Sequence, residues 1–128
     1  MINFEPQANF PYIKDFQEKF ATTDKTIFVY KDTIYCDYPL PSDLEAHELC
    51  HIKQQELYGA DKWIQRYLED KDFRLEQELR AYKAQLRSIN DREARNHCRI
   101  EAANNLSSPL YGGVIGIISY AEAFKRLS

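Results

Sequence analysis

Between residues 13 and 20 the apolar side chains Ile13, Phe16 and Phe20 recur at intervals of three and four, which predicts a short amphipathic helix. The next segment, "KTIFVYKDTIYCDY" (25–38), is rich in Ile, Val, Tyr and Thr on either side of Lys31-Asp32 and predicts a β-hairpin. Pro39 and Pro41 end its second strand, because neither can donate to a ladder. Ser42 followed by Glu45 has the form of a capping box, so a helix is expected from there to about Tyr58, where Gly59 stops it. "ADKWIQRYLED" (60–70) predicts a second, shorter helix. A third starts near Phe73, with Leu75, Leu79, Tyr82, Leu86 and Ile89 forming its apolar stripe. Asn90-Asp91 interrupts it, and the helix resumes to about Leu106. A loop through Ser107-Ser108-Pro109 and Gly112-Gly113 leads to a last helix, opened by the pair Ser119 and Glu122. The expected fold is a mainly helical α+β domain, single over residues 1–128, with one small β-hairpin sheet.

Composition narrows the function classes. Hydrophobic residues make up 44% of the 128 and charged residues 29%, enough for both a core and a soluble surface. The net charge is −3 and no block of five like charges occurs, so no basic footprint for nucleic acid is visible. Three cysteines (Cys36, Cys50 and Cys98) without a pairing pattern favour a reducing compartment. The start, "MINFEPQANF", lacks the basic and apolar regions of a signal peptide, and the apolar run Val114–Ile118 is too short to span a bilayer. A cytoplasmic protein with no membrane partner is expected.

The chemistry is concentrated in "SDLEAHELCH", residues 42–51. On a helix, residues four apart differ by about 40° in direction, so His47 and His51 can grip one ion. Glu48 lies about 100° from His47, beside the pair, where its carboxylate can reach a metal-bound water without ligating the metal. Two imidazole ligands and an adjacent base form the HExxH arrangement of zinc hydrolases, and the pair uses two of the chain's three histidines. Lys53 stands where such helices usually carry an apolar residue. The alternative is a helix with two ordinary histidines.

A third ligand must come from elsewhere, and the long helix offers Glu76 and Glu78. Relative to the stripe Leu75–Ile89, Glu78 lies about 60° from the centre and Glu76 about 100° away on the other side. Glu78 is therefore the expected ligand; the alternative is that both are solvated charges.

Together, "HELCHIKQQ" and "FRLEQELRAYKAQ" resemble the small zincin-like metallopeptidases encoded by phages and prophages, and more broadly the gluzincins. The run Glu78-Leu79-Arg80-Ala81-Tyr82 is similar to the glutamate helix of several such families, and "TIYCDY" and "LSSPLYGG" share their look. The resemblance covers about residues 26–125. It implies a minimal zincin-like fold, Zn2+ held by His47, His51 and Glu78, Glu48 as general base, and peptide hydrolysis. If the chain is phage-encoded, it would work inside a bacterial host cell.

Other residues have plainer readings. Cys50 reads as a small packed residue and His97-Cys98 as incidental. Gln54 and Tyr58 continue the histidine face and are expected to pack or bond near the site. Tyr111 is a candidate oxyanion donor, and Gly112 and Gly116 mark a tight turn. The hairpin edge could align an extended peptide or protein substrate by adding a strand. Two rival functions are a non-catalytic, metal-stabilised phage regulatory or assembly protein, and a metal-free helical interaction module. A protein partner completing the cleft fits the small size of the chain.

Overall fold

The structure is a computed structural model that describes residues 2–108 and 118–128; Tyr111, Gly112-Gly113 and Gly116 lie outside the described residues. The fold is α+β and mainly helical, as expected. Strand β1 (Asn3–Glu5) is followed by a turn of 3-10 helix (Gln7–Asn9), helix α1 (Ile13–Lys19) and the hairpin of β2 (Phe28–Tyr30) and β3 (Thr33–Tyr35). The remaining helices are α2 (Ser42–Tyr58), α3 (Ala60–Glu69), α4 (Lys71–Arg87), α5 (Arg92–Ser107) and α6 (Tyr120–Arg126).

The sheet has the order β1-β3-β2. β3 pairs antiparallel with β2 (Val29 opposite Ile34) and parallel with β1 (Phe4 opposite Ile34). Because successive strand residues point to opposite faces, Val29 and Ile34 share one face and Phe28 and Tyr35 the other. The first face packs on Ile52 of α2. The second joins an aromatic cluster with Phe10, Phe16, Trp63, Ile64 and Phe73. β1 was not foreseen: all three of its side chains are exposed, so it carries no apolar alternation to read.

Gln55 locks the hairpin to α2. It is buried, its Nε2 donates to the Val29 carbonyl (2.8 Å), and its Oε1 accepts from the Lys31 amide (2.8 Å). Lys31 adopts a left-handed φ of 56°, which costs a non-glycine residue about 1–2 kcal/mol, as part of the turn that aims this amide at α2.

Helix boundaries follow local chemistry. Ser42 does not act as the expected cap. Pro41 holds the cap position instead, its carbonyl accepting from the Glu45 amide at 3.0 Å, which makes Ser42 the first helical residue. Gly59 ends α2 at φ 89°; a Cβ there would meet nothing within 4 Å, so the demand for glycine is conformational. Asp70 caps α4 through the Phe73 amide (3.0 Å), and Asp91 caps α5 through the Ala94 amide (2.8 Å). Ser119 accepts from the Glu122 amide (3.1 Å), as the pattern predicts. α4 ends at Arg87, short of Ile89. Its Leu75, Leu79 and Leu86 form a core with Ala102, Ala103 and Leu106 of α5 and Ala123 and Leu127 beyond. α2 packs chiefly along α4, and that contact builds the site.

Candidate metal centre

His47 and His51 project from α2 toward α4, where both meet Glu78. His47 Nε2 lies 3.2 Å from Glu78 Oε1, and His51 Nε2 lies 3.1 Å from Glu78 Oε2. All three residues are buried. Their ligating atoms lie within 4.8 Å of one another, so the cluster could hold a metal ion. Four ligands around zinc at 2.0–2.2 Å stand roughly 3.3 Å apart, close to the N···O separations here. Glu76 lies elsewhere, on the surface, paired with Arg80 (3.5 Å) and with Arg126 of α6 (3.1 Å).

The outer nitrogens of the two rings are fixed by glutamines. His47 Nδ1 is 3.0 Å from Gln85 Oε1, and His51 Nδ1 is 2.8 Å from Gln54 Oε1. Which way each amide faces is settled by what its nitrogen donates to. Gln85 Nε2 donates to Asp43 Oδ2 (2.9 Å) and Gln54 Nε2 to the Gln77 carbonyl (3.1 Å). Both are acceptors only, so each Oε1 faces its imidazole and each Nδ1 carries a proton. Both Nε2 atoms are then left to take either a proton or a metal ion. An outer hydrogen bond that fixes the tautomer is the usual support of a metal-binding histidine.

Aromatic side chains flank the site. Tyr67 donates to Glu78 Oε2 at 2.7 Å, and the Tyr82 ring meets His47 edge-on with centroids 4.6 Å apart. Trp63 stands 5.3 Å from His51 and donates to Gln77 Oε1 (3.0 Å), on the residue whose carbonyl holds Gln54.

Electrostatics follow from burial and pairing. Burial alone would raise the Glu78 carboxyl, but His51 and His47 outweigh it and hold it well below the carboxylate range. Burial opposes a charge on His51, yet Glu78 overcomes it and the ring is pushed up to about 9. Burial raises the Glu48 carboxyl, opposed by the two histidines and reinforced by Glu78. Glu48 is buried, and the hydrogen bonds among the described residues give its carboxylate no donor.

A cavity of about 470 Å³ joins His47, Glu48, His51 and Glu78 to an aromatic wall that includes Phe16, Phe20 and Tyr67. Glu48 is thus a buried carboxylate next to an imidazole pair on a cavity wall.

The remaining sequence expectations divide. Gln54 reaches the site, but Tyr58 instead packs edge-on against Phe73 at 5.3 Å. Cys50 is half-buried and accepts from Gln54 Nε2 (3.5 Å), and its thiol is pushed up by burial. His97 is exposed and pairs with Glu101 along its own helix at 2.9 Å. The hairpin edges expected to receive a strand are partly occupied, since β1 pairs along β3 and Gln55 holds Val29 O of β2 and Lys31 N of the turn. The reading along the chain missed Gln85, Asp43 and Tyr67. Gln85 follows Glu78 by seven residues and Asp43 precedes His47 by four, spacings that share a helix face. Tyr67 comes from another helix and had no such signal.

No described helix is long and apolar enough to cross a membrane. Fold and site together define a mainly helical α+β chain with a buried His-His-Glu cluster able to hold a metal ion. Comparison with family models, curated proteins and solved structures finds no match for it.

Proposed function

We propose that the chain is a zinc-dependent peptidase of the zincin type, akin to the small phage and prophage metallopeptidases, acting on a peptide or protein inside a bacterial cell. What carries this reading is the convergence of His47, His51 and Glu78 beside the buried Glu48 on the wall of one cavity. The residues fit the metal: two imidazoles with their outer protons anchored and one carboxylate are a donor set that zinc favours. Zinc, when bound, supplies a Lewis acid that acidifies water and polarises a carbonyl.

The chain's own residues do the rest. His47, His51 and Glu78 hold the ion, and Gln85, Gln54 and Tyr67 keep those three from turning. Glu48 accepts a proton from the attacking water and passes it to the leaving nitrogen, a role suited by a carboxyl that burial has raised.

The test is the Glu48→Gln variant. It should retain about one zinc per chain, because this side chain stands outside the ligand set, while hydrolysis of a peptide library falls by about 10²-fold or more. Equal cleavage by wild type and variant refutes the assignment of the base.

A second reading is a metal-stabilised regulatory or assembly protein that does not hydrolyse. The occupied β2 edge favours it, since part of a strand-binding rim is already taken by Gln55. Under that reading zinc content is unchanged, no library peptide is cleaved, and Glu48→Gln keeps every cellular phenotype.

A further inference from the structure

One buried charge has no part in the chemistry above. Arg74 is fully buried on α4, one helical turn before Glu78. Its Nη1 donates to the carbonyls of Tyr67 (2.8 Å) and Leu68 (3.2 Å), in the last turn of α3. Its Nε and Nη2 have no hydrogen-bond partner among the described residues. Among the described residues no carboxylate forms an ion pair with it. Buried polar groups are ordinarily paired, so three idle N–H bonds on one guanidinium call for an explanation.

Which nitrogens are idle is informative. Nε–H and the adjacent Nη2–H leave the same edge of the planar group, a fork matched to the two oxygens of a carboxylate. The structural bonds to α3 all use the other nitrogen.

The location points the same way. The guanidinium carbon lies 5.0 Å from the centre of the Phe20 ring and 5.9 Å from that of Tyr67. Both rings line the cavity that holds His47, Glu48, His51 and Glu78. Arg74 therefore stands one aromatic layer behind the cavity wall. Phe20 is the residue at which α1 ends, and the irregular stretch 21–27 follows it.

We propose that Arg74 receives a carboxylate of the bound ligand when the Phe20 ring turns aside. Joined to the peptidase reading, on which this step rests, the carboxylate is the free C-terminus of a peptide. Arg74 and Glu78 leave the same face of α4 one turn apart, so a ligand held at the His47–His51–Glu78 cluster extends along that face toward Arg74. The rings of Phe16, Phe28 and Trp63 suit an apolar terminal side chain. Water adds to the scissile carbonyl, the C–N bond breaks, and the nitrogen of the C-terminal fragment leaves with the proton carried by Glu48.

The test reads binding and needs no cleavage. The full chain, as purified, is titrated with N-acetylphenylalanine, with its amide, and with the α-amide of N-acetylglutamate, while the Arg74 Nε–H signal is followed by NMR. The expected result is a shifted, exchange-protected signal with the acid, and affinity for the amide lower by about tenfold or more. An absent response to the acid, or equal affinity for acid and amide, overturns the proposal. An equal response to the glutamate probe overturns the C-terminal source.

Arg74→Lys keeps the charge but lacks the fork, so the preference for acid over amide should fall to near unity; a preference that survives overturns the role of Arg74. If that variant does not fold, Phe20→Leu replaces it. Thinning the cover should tighten the acid and leave the amide unchanged, and equal effects on both overturn the proposal. A protein that binds the acid through Arg74 but cleaves nothing separates failure of the peptidase reading from failure of this one.

Discussion

Zinc binding should tighten steeply with pH up to about 9, because the metal competes with a proton that Glu78 holds on His51. Buried 3.1 Å from Glu78, His51 is pushed up to about 9 in the metal-free protein, so it is charged at neutral pH. Zinc takes the neutral ring. Between pH 7 and 9 each unit then raises affinity about tenfold from His51 alone, about 100-fold in all, after which this contribution levels off.

Stability of the metal-free chain runs the other way. The folded pKa of His51 lies above its unfolded value of 6.5, so its contribution is complete below about pH 6.5 and is lost as pH rises through about 9. Two and a half units at about 1.4 kcal/mol each make that contribution on the order of 3 kcal/mol. Glu78 is held low, so its contribution is present above its ordinary value of 4.5 and is lost as pH falls through the depressed one. Through these two groups the metal-free protein is most stable between about pH 5 and 6.5, and zinc should stabilise it most at the alkaline end.

The assay is competition with a chelator of known proton linkage at pH 7, 8 and 9, with calorimetry in two buffers to count protons released. The metal-free Glu78→Gln variant serves as the control: with the charge that raises His51 removed, the ring's own titration, followed by NMR, should move down toward the ordinary histidine range. Affinity that is flat from pH 7 to 9, or a wild-type break already near 6.5, refutes the reasoning.

The other expectations concern the shell around the ion. Glu78→Gln should weaken zinc binding strongly and Glu76→Gln should leave it unchanged, because Glu76 pairs with Arg80 and Arg126 on the surface; equal losses in chelator competition refute the ligand assignment. Gln85→Leu removes the acceptor at His47 Nδ1 and the link to Asp43, and should lower zinc affinity by about 10–100-fold with little change in fold. Far-UV circular dichroism alongside zinc titration checks both points, and unchanged affinity would mean that this link does not tune the metal.

How much of this was readable along the chain depended on whether the partners shared a helix. His47, Glu48, His51 and Gln54 lie within three turns of α2, where spacing alone fixes direction. Glu78 was legible because the apolar stripe of α4 defines which side faces inward. The second supporting glutamine was harder. Gln85 shares a face with Glu78, but nothing local says that this face meets Asp43 and His47 across α2. Tyr67 and Trp63 come from α3, whose docking is a tertiary outcome. The misread cap at Ser42 has a local cause, since Pro41 takes the boundary one residue earlier. β1 forms by pairing with the free side of β3, which no pattern in "NFE" announces.

The Gln55 clamp ties the hairpin's amide exchange to helix detachment. Lys31 sits at a turn, where amides usually trade hydrogen with solvent freely, yet its N–H is held by a buried side chain of α2. Deuterium can enter there when Gln55 lets go. The Lys31 amide is thus a built-in gauge of how often the helix that carries His47 and His51 separates from the sheet, readable one residue at a time in the intact protein.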